Sequence, residues 1–138
     1  TLPGLDGRKM SKSYGNTIPL FAESAELKKL IMKIKTNSQA PNEPKETEGE
    51  TLFQIYRAFA SENEIQEMQH RYQTGIGWGE AKNSLFELLD KKLAEPRAHY
   101  QELMSQPEKI EAILREGAEK ARAQATAFLE RIRKTVGI

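Results

Sequence analysis

The spacing of apolar residues predicts helices over most of this chain. From Glu23 onward they recur every three or four positions, which is the period of an amphipathic helix. The first such stripe is Leu27, Leu30, Ile31 and Ile34. Residues 35–50 are polar, contain two prolines and a glycine, and predict a long loop. The second half of this loop carries four glutamates against Lys45, so we expect it to be solvated.

Three more helices are predicted between residues 51 and 105. The first has the apolar positions Leu52, Phe53, Ile55, Tyr56 and Phe59. The second begins at a capping box formed by Ser61 and Glu64, and Gly75 and Gly77 stop it after Thr74. The third resumes near residue 79, and we expect Pro96 to break or kink it. Its buried stripe consists of Ala81, Leu85, Leu88, Leu89 and Leu93.

The last helix has the most regular apolar pattern in the chain. A second capping box is predicted at Ser105 and Glu108, with Pro107 in the first turn. Spacings of three and four residues then define a seam suited to close helix–helix packing. The seam residues are Ile110, Leu114, Ala118, Ala121, Ala125, Phe128 and Ile132. We expect the seam to share one core with the stripe at 81–93. No segment alternates apolar and polar residues with a period of two, so the predicted fold is an all-α helical bundle.

Residues 1–22 show no sustained period and predict a loop segment in front of a helical domain at 23–138. This segment contains the string Lys9-Met10-Ser11-Lys12-Ser13, which we call the lysine–serine loop, with glycines at 4, 7 and 15 around it. Mobile lysine charges and consecutive backbone N–H groups are suited to binding a polyphosphate. The alternative is a solvated basic turn.

The lysine–serine loop resembles, without a mismatch, the second signature of class I aminoacyl-tRNA synthetases. Residues 2–8, 14–16, 75–82 and 116–121 resemble the corresponding segments of bacterial tryptophanyl-tRNA synthetases, so the resemblance covers essentially the whole chain. One departure is Trp78, where that family is expected to have a tyrosine. An aromatic ring is kept at this position.

The resemblance implies a site and a reaction. Lys12, with Lys9 as its partner, would stabilise the pyrophosphate that leaves ATP when tryptophan is activated. All five residues of the loop, Lys9, Met10, Ser11, Lys12 and Ser13, would bind ATP, and Mg²⁺ would bridge its phosphates. The partners implied are ATP, tryptophan and tRNA(Trp), and the parent enzyme is expected to be a homodimer. The helical domain at 23–138 would reach the tRNA anticodon.

The class also implies a Rossmann-type catalytic domain with a His-x-Gly-His signature, which is absent from this chain. Neither His70 nor His99 lies in such a string, and the chain starts at Thr1. We therefore expect a C-terminal fragment of a longer enzyme that is inactive alone. Two alternatives stay open, namely a non-catalytic helical RNA-binding module and the same domain of a tyrosine-specific relative.

Composition narrows these possibilities. A net charge of +1 gives no broad attraction to nucleic acid, so a tRNA contact needs a local patch. The candidates are Trp78, a ring between two glycines, and Lys82, one turn into the next helix. Trp78 could instead plug the end of the bundle. The absence of cysteine excludes thiolate metal sites and fits a cytoplasmic protein. No metal-ligand set and no membrane span is predicted.

Overall fold

The computed structural model describes all residues, Thr1–Ile138, and confirms the all-α prediction. It contains five α-helices and one short 3₁₀ turn at Lys12–Tyr14. The helices are α1 (Ser24–Met32), α2 (Thr51–Phe59), α3 (Glu62–Thr74), α4 (Trp78–Ser105) and α5 (Pro107–Val136). The only extended pairing is an isolated antiparallel bridge between Pro3 and Lys9, inside the segment predicted to be a loop.

The chain forms two compact units, Thr1–Arg97 and Ala98–Ile138. Every buried hydrophobic residue lies in the first unit. Residues 1–22 belong to this unit as well, because Ala22 is buried and Leu5 and Ile18 pack against the same core as α1–α4. The compact units therefore divide the chain elsewhere than at residue 22. The functional division into 1–22 and 23–138 stays a prediction.

Contacts between near neighbours fix the start of α2, whose cap was not predicted, and the start of α3, whose capping box was. The Glu50 carboxylate caps α2 by accepting from the backbone amides of Leu52, at 3.1 Å, and Phe53, at 2.7 Å. The capping box of Ser61 and Glu64 at the start of α3 is confirmed. So is the stripe of α4, all five residues of which are buried. These ends and stripes depend on neighbours within one or two turns, which a sequence pattern can show.

One prediction about the later helices is wrong, and one of the two alternatives at Pro96 is excluded. The capping box at Ser105 and Glu108 does not form, because Ser105 is still the last residue of α4 and its hydroxyl donates to the Glu102 carbonyl at 2.7 Å. Pro96 does not break α4, which continues to Ser105, so of the two expected effects only a kink remains as a prediction. A proline removes one amide donor from a helix, and here the turns on both sides of it remain helical. Pro107 does occupy the first turn of α5.

The seam of α5 is not part of a core in this chain. No residue of α5 is buried, and the seam residues Leu114 and Phe128 are 67% and 55% exposed. The helix carries Glu–Arg and Glu–Lys ion pairs one turn apart, at 111–115 and 116–120, which add only tenths of a kcal/mol each. The periodicity correctly predicts that α5 has an apolar face. It does not specify what covers that face.

The position of the core predicts that a chain ending at Arg97 folds without α5. Such a chain keeps all buried hydrophobic residues and the ion pair between Arg97 and Asp90 at 2.9 Å. We expect one cooperative thermal transition, with a Tm within about 5 °C of that of the full chain. Circular dichroism of both chains measures this. A non-cooperative melt of the shorter chain would contradict it.

Candidate functional site

Asn16 holds the lysine–serine loop from the inside. Its side chain is 3% exposed, and its Oδ1 accepts from the Ser11 backbone amide at 2.8 Å. Its Nδ2 donates to Asp6 Oδ1 at 2.7 Å and to the Lys9 carbonyl at 3.2 Å. One buried carboxamide therefore bonds the backbone on both sides of Met10. A buried amide so satisfied gives the loop a defined local geometry.

The charged residues of the loop face outward. Lys9, Lys12 and Ser13 are exposed, and neither lysine is paired with a carboxylate. The hydroxyl oxygens of Ser11 and Ser13 lie 2.9 Å apart and share a hydrogen bond. The sequence-predicted phosphate ligands are thus accessible and close together along the chain. Such a surface can offer two ammonium groups and two hydroxyl groups to an anion.

Met10 is the exception among the five predicted ATP-binding residues. It is half-buried, and its backbone amide donates to the Leu2 carbonyl at 3.2 Å. Its side chain lines an apolar cavity of ≈ 170 Å³. Helices α2 and α4 contribute Ile55, Phe59, Leu89 and Leu93 to the same cavity. The methionine therefore seats the loop on the helices, and its part in binding ATP stays a prediction.

Asp6 is the charged anchor beneath the loop. Arg8 Nε donates to its Oδ2 at 2.7 Å, and the Arg8 guanidinium also lies over the Tyr14 ring, 4.5 Å from the ring centre. The hydrogen bond from Asn16 and then the contacts with Arg8 lower the pKa of Asp6 to about 2. Asp6 is therefore ionised at neutral pH. Because the pKa is lowered on folding, Asp6 stabilises the folded state at pH values above the usual carboxyl pKa. This contribution is lost as the pH falls towards about 2.

The Trp78 side chain contacts other residues of the same chain. The ring is half-buried, and its Nε1 donates to Asn37 Oδ1 at 3.1 Å. The Lys45 ammonium lies 5.3 Å from the ring centre, and Tyr72 meets the ring edge-on at 5.9 Å. These contacts favour the packing alternative for Trp78. Its predicted tRNA contact is not tested by them.

Lys82 is also engaged within the fold. Its Nζ donates to the Met32 carbonyl at the end of α1, at 3.1 Å. Burial lowers the pKa of Lys82, and the nearby Glu50 carboxylate opposes this shift. A cation at a helix C-terminus is a favourable electrostatic arrangement. The lysine thus links α4 to α1, and its predicted contact with tRNA remains a prediction.

Lys45 is a residue whose role the sequence did not reveal. It is 3% exposed, although we expected its loop to be solvated. Its Nζ donates to the Ala40 carbonyl at 2.8 Å and to the Glu43 carbonyl at 2.9 Å. Its backbone amide donates to the Tyr72 carbonyl at 2.8 Å. The correction has a simple cause, since a long aliphatic stem and three N–H donors can satisfy a buried loop that offers carbonyls.

No group of three or more histidine, cysteine, aspartate or glutamate side chains is arranged to hold a metal ion. None of the helices has the length and apolar character needed to span a bilayer.

The model of the family "tRNA synthetases class I (W and Y)" matches residues 1–94, and the chain belongs to this family. Its relatives include the tryptophan–tRNA ligase of Xanthomonas axonopodis pv. citri, 52% identical over 139 residues. That match covers 100% of this chain and 32% of the relative. The tryptophan–tRNA ligase of Pseudomonas aeruginosa is also 52% identical, over 138 residues, with 100% and 31% covered.

A solved structure agrees with this classification. The crystal structure of the tryptophanyl-tRNA synthetase from Campylobacter jejuni, complexed with ADP and tryptophan, has a TM-score of 0.93 and 40% identity. The match covers 99% of this chain and 43% of the Campylobacter jejuni chain. The chain spans about a third of the length of the curated relatives it matches. The resemblance inferred from the lysine–serine loop is confirmed, and the likeness extends past residue 94 to α5.

Proposed function

We propose that this chain is the C-terminal part of a tryptophan–tRNA ligase and supplies that enzyme's ATP-phosphate loop and tRNA-contacting helices. The observation that carries the proposal is the lysine–serine loop. It combines the class signature with two exposed, unpaired lysines on a base organised by Asn16. Whole-length similarity to tryptophan–tRNA ligases supports tryptophan over tyrosine as the amino acid.

The proposed chemistry has two steps. The carboxylate of tryptophan attacks the α-phosphorus of ATP, the bond to the β-phosphate oxygen breaks, and pyrophosphate leaves. Lys12, with Lys9 beside it, stabilises the negative charge that develops on pyrophosphate. Ser11 and Ser13 donate to phosphate oxygens, and Mg²⁺ bound with ATP would supply further positive charge to the phosphates. A terminal ribose hydroxyl of tRNA(Trp) then attacks the aminoacyl carbonyl and releases AMP.

The remaining partners belong to the same proposal. The helical region at 23–138 approaches the anticodon of tRNA(Trp), and the parent enzyme is a homodimer in the cytoplasm. The neighbours of Trp78 and Lys82 favour a supporting role for both residues at this end of the fold. A non-catalytic helical RNA-binding module remains the second candidate, because the chain has a folded helical unit of its own.

A chimera tests the proposal directly. These 138 residues replace the aligned segment of the Pseudomonas aeruginosa tryptophan–tRNA ligase, and tryptophan-dependent ATP–pyrophosphate exchange is measured. We expect exchange within about tenfold of the parental enzyme and none from the 138-residue chain alone. Charging of tRNA(Trp) by the chimera tests the helical part. A folded chimera without exchange would favour the non-catalytic module.

Replacing Trp78 by alanine separates packing from RNA stacking. Because the ring contacts Asn37, Lys45 and Tyr72 but is only half-buried, we expect a loss of about 2 kcal/mol in the free energy of unfolding, below the roughly 3–5 kcal/mol of fully buried aromatic residues. Affinity of the folded chimera for tRNA(Trp) should stay within about twofold.

Trp78→Phe is the matched control, since it keeps one aromatic ring and loses the five-membered ring of the indole together with the N–H that donates to Asn37. It should cost about half as much. A drop in tRNA affinity of tenfold or more at unchanged stability would instead establish a stacked base, a contact worth about 1–3 kcal/mol.

A further inference from the structure

We propose that Asn16 is a positioning residue, which together with Asp6 and Gly4 locks the lysine–serine loop in the geometry that presents Lys9 and Lys12 to phosphate. The catalytic consequence rests on the proposed function. The lock itself rests only on contacts within this chain. Asn16 acts through the backbone that carries the two lysines, and not by touching substrate or the ammonium groups.

The hydrogen bonds of Asn16 are distributed so that one side chain fixes two peptide units. Its Oδ1 holds the Ser11 amide, and its Nδ2 holds the Lys9 carbonyl and Asp6 Oδ1. These bonds bracket Met10, whose side chain lies in the apolar cavity. Because the Met10 side chain lies in the cavity and Asn16 bonds the peptide group on each side of it, the orientation of both peptide groups is fixed. Lys9 and Lys12 remain exposed.

Gly4 provides the space in which Asn16 lies. A Cβ at Gly4 would overlap Asn16 Nδ2 and would lie 2.6 Å from the Asn16 carbonyl oxygen. The backbone supports the same arrangement, since the Gly4 amide donates to the Arg8 carbonyl at 2.7 Å and the Leu5 amide donates to the Asn16 carbonyl at 3.0 Å. Any residue larger than glycine at position 4 must displace Asn16.

Asp6 requires a hydrogen-bond donor at position 16. The Asn16 amide group donates to Asp6, and the only charged residue in contact with that carboxylate is Arg8. An aspartate at position 16 could still accept from Ser11, but it would place a second carboxylate against Asp6. Like charges at hydrogen-bond distance are strongly unfavourable. Exchanging the two residues, with asparagine at 6 and aspartate at 16, restores a donor opposite an acceptor at this contact, but not the bond to the Lys9 carbonyl, because a carboxylate has no N–H to donate.

A loosened loop predicts a specific kinetic pattern. The lysines keep their charge, so attraction to ground-state ATP is largely retained. Their ammonium groups are no longer held at the position where negative charge develops on pyrophosphate, so stabilisation of the transition state is lost. The expected signature is a reduced kcat with a nearly unchanged KM for ATP.

The test is a residue exchange in the chimera. Asn16→Asp should lower kcat for pyrophosphate exchange by about 10- to 100-fold and change KM for ATP by less than about threefold. Asp6→Asn combined with Asn16→Asp should recover part of the lost kcat, about threefold or more over Asn16→Asp alone, because the 6–16 contact returns while the bond to the Lys9 carbonyl stays lost. Gly4→Ala, which alters no polar group, should reproduce the loss. Asn83→Asp, the same chemical change on an exposed face of α4, should have no effect.

A second readout on the 138-residue chain does not depend on catalysis. Amide hydrogen exchange should show protection of the Ser11 N–H, its loss in Asn16→Asp, and its return in the exchanged pair. Circular dichroism checks that each variant is folded. An active chimera in which Asn16→Asp keeps the unsubstituted kcat would overturn the positioning role and leave the proposed function intact. A folded chimera without pyrophosphate exchange, together with the expected amide hydrogen exchange in the 138-residue chain, would overturn the proposed function and leave the positioning of the loop by Asn16 intact.

Discussion

Replacing Lys12 by alanine in the chimera should lower kcat for tryptophan activation by about 100- to 1,000-fold. Lys12 is exposed, unpaired and part of the class signature, so its ammonium group is available to the leaving pyrophosphate. Removing one preorganised donor of this kind costs about 2.7–4 kcal/mol in the transition state. KM for ATP should change much less, because the interaction strengthens as charge develops. Steady-state pyrophosphate exchange across ATP concentrations measures both quantities.

Two further lysines calibrate the Lys12 result. Lys9→Ala should reduce kcat by a smaller factor, since we assign Lys9 the supporting role. Lys29→Ala removes an exposed charge from α1 and should leave both constants unchanged. A Lys12 variant with a raised KM for ATP and an unchanged kcat would mean uniform binding of substrate and transition state. That result would remove Lys12 from the catalytic step.

The sequence was most informative where structure depends on near neighbours. The α4 stripe, the α3 capping box and the stop at Gly75 each involve residues within a few positions of one another, and all three are confirmed. The lysine–serine loop was recognisable as a family signature for the same reason, since it consists of five consecutive residues. Contiguous motifs of this kind can be identified before any three-dimensional information exists.

The supporting residues were not predictable in the same way. Asn16 bonds Asp6 ten positions away, and Trp78 bonds Asn37 across 41 positions. Lys45 is buried by carbonyls of its own loop, which no side-chain pattern reveals. Helix α5 shows the same limit, since the period identifies an apolar face but not its partner. The partners of these residues are set by tertiary contacts. Sequence periodicity shows which residues of one helix form an apolar face, but not what packs against it.

Gly75→Ala should be the most destabilising single exchange at the junction that carries Trp78. Gly75 ends α3 with φ at +99°, a conformation that costs an L-residue about 1–2 kcal/mol. A Cβ there would also lie 2.6 Å from the Asn42 carbonyl carbon and 2.8 Å from its oxygen. Backbone cannot move aside as a flexible side chain can. We expect a loss of about 3 kcal/mol in the free energy of unfolding, measured by urea denaturation.

The reason for so large an effect is that the clash spreads to the neighbouring contacts. Moving Asn42 away shifts the loop that holds Lys45, whose amide donates to Tyr72 and whose ammonium lies over Trp78. Gly79→Ala is the matched control, because a methyl group at Gly79 would meet no atom within 4 Å and the residue is in the first turn of α4. Alanine there should stabilise by up to about 1 kcal/mol. Equal stabilities for the two variants would show that loop 35–50 does not approach Gly75, and the packing role of Trp78 would lose its support.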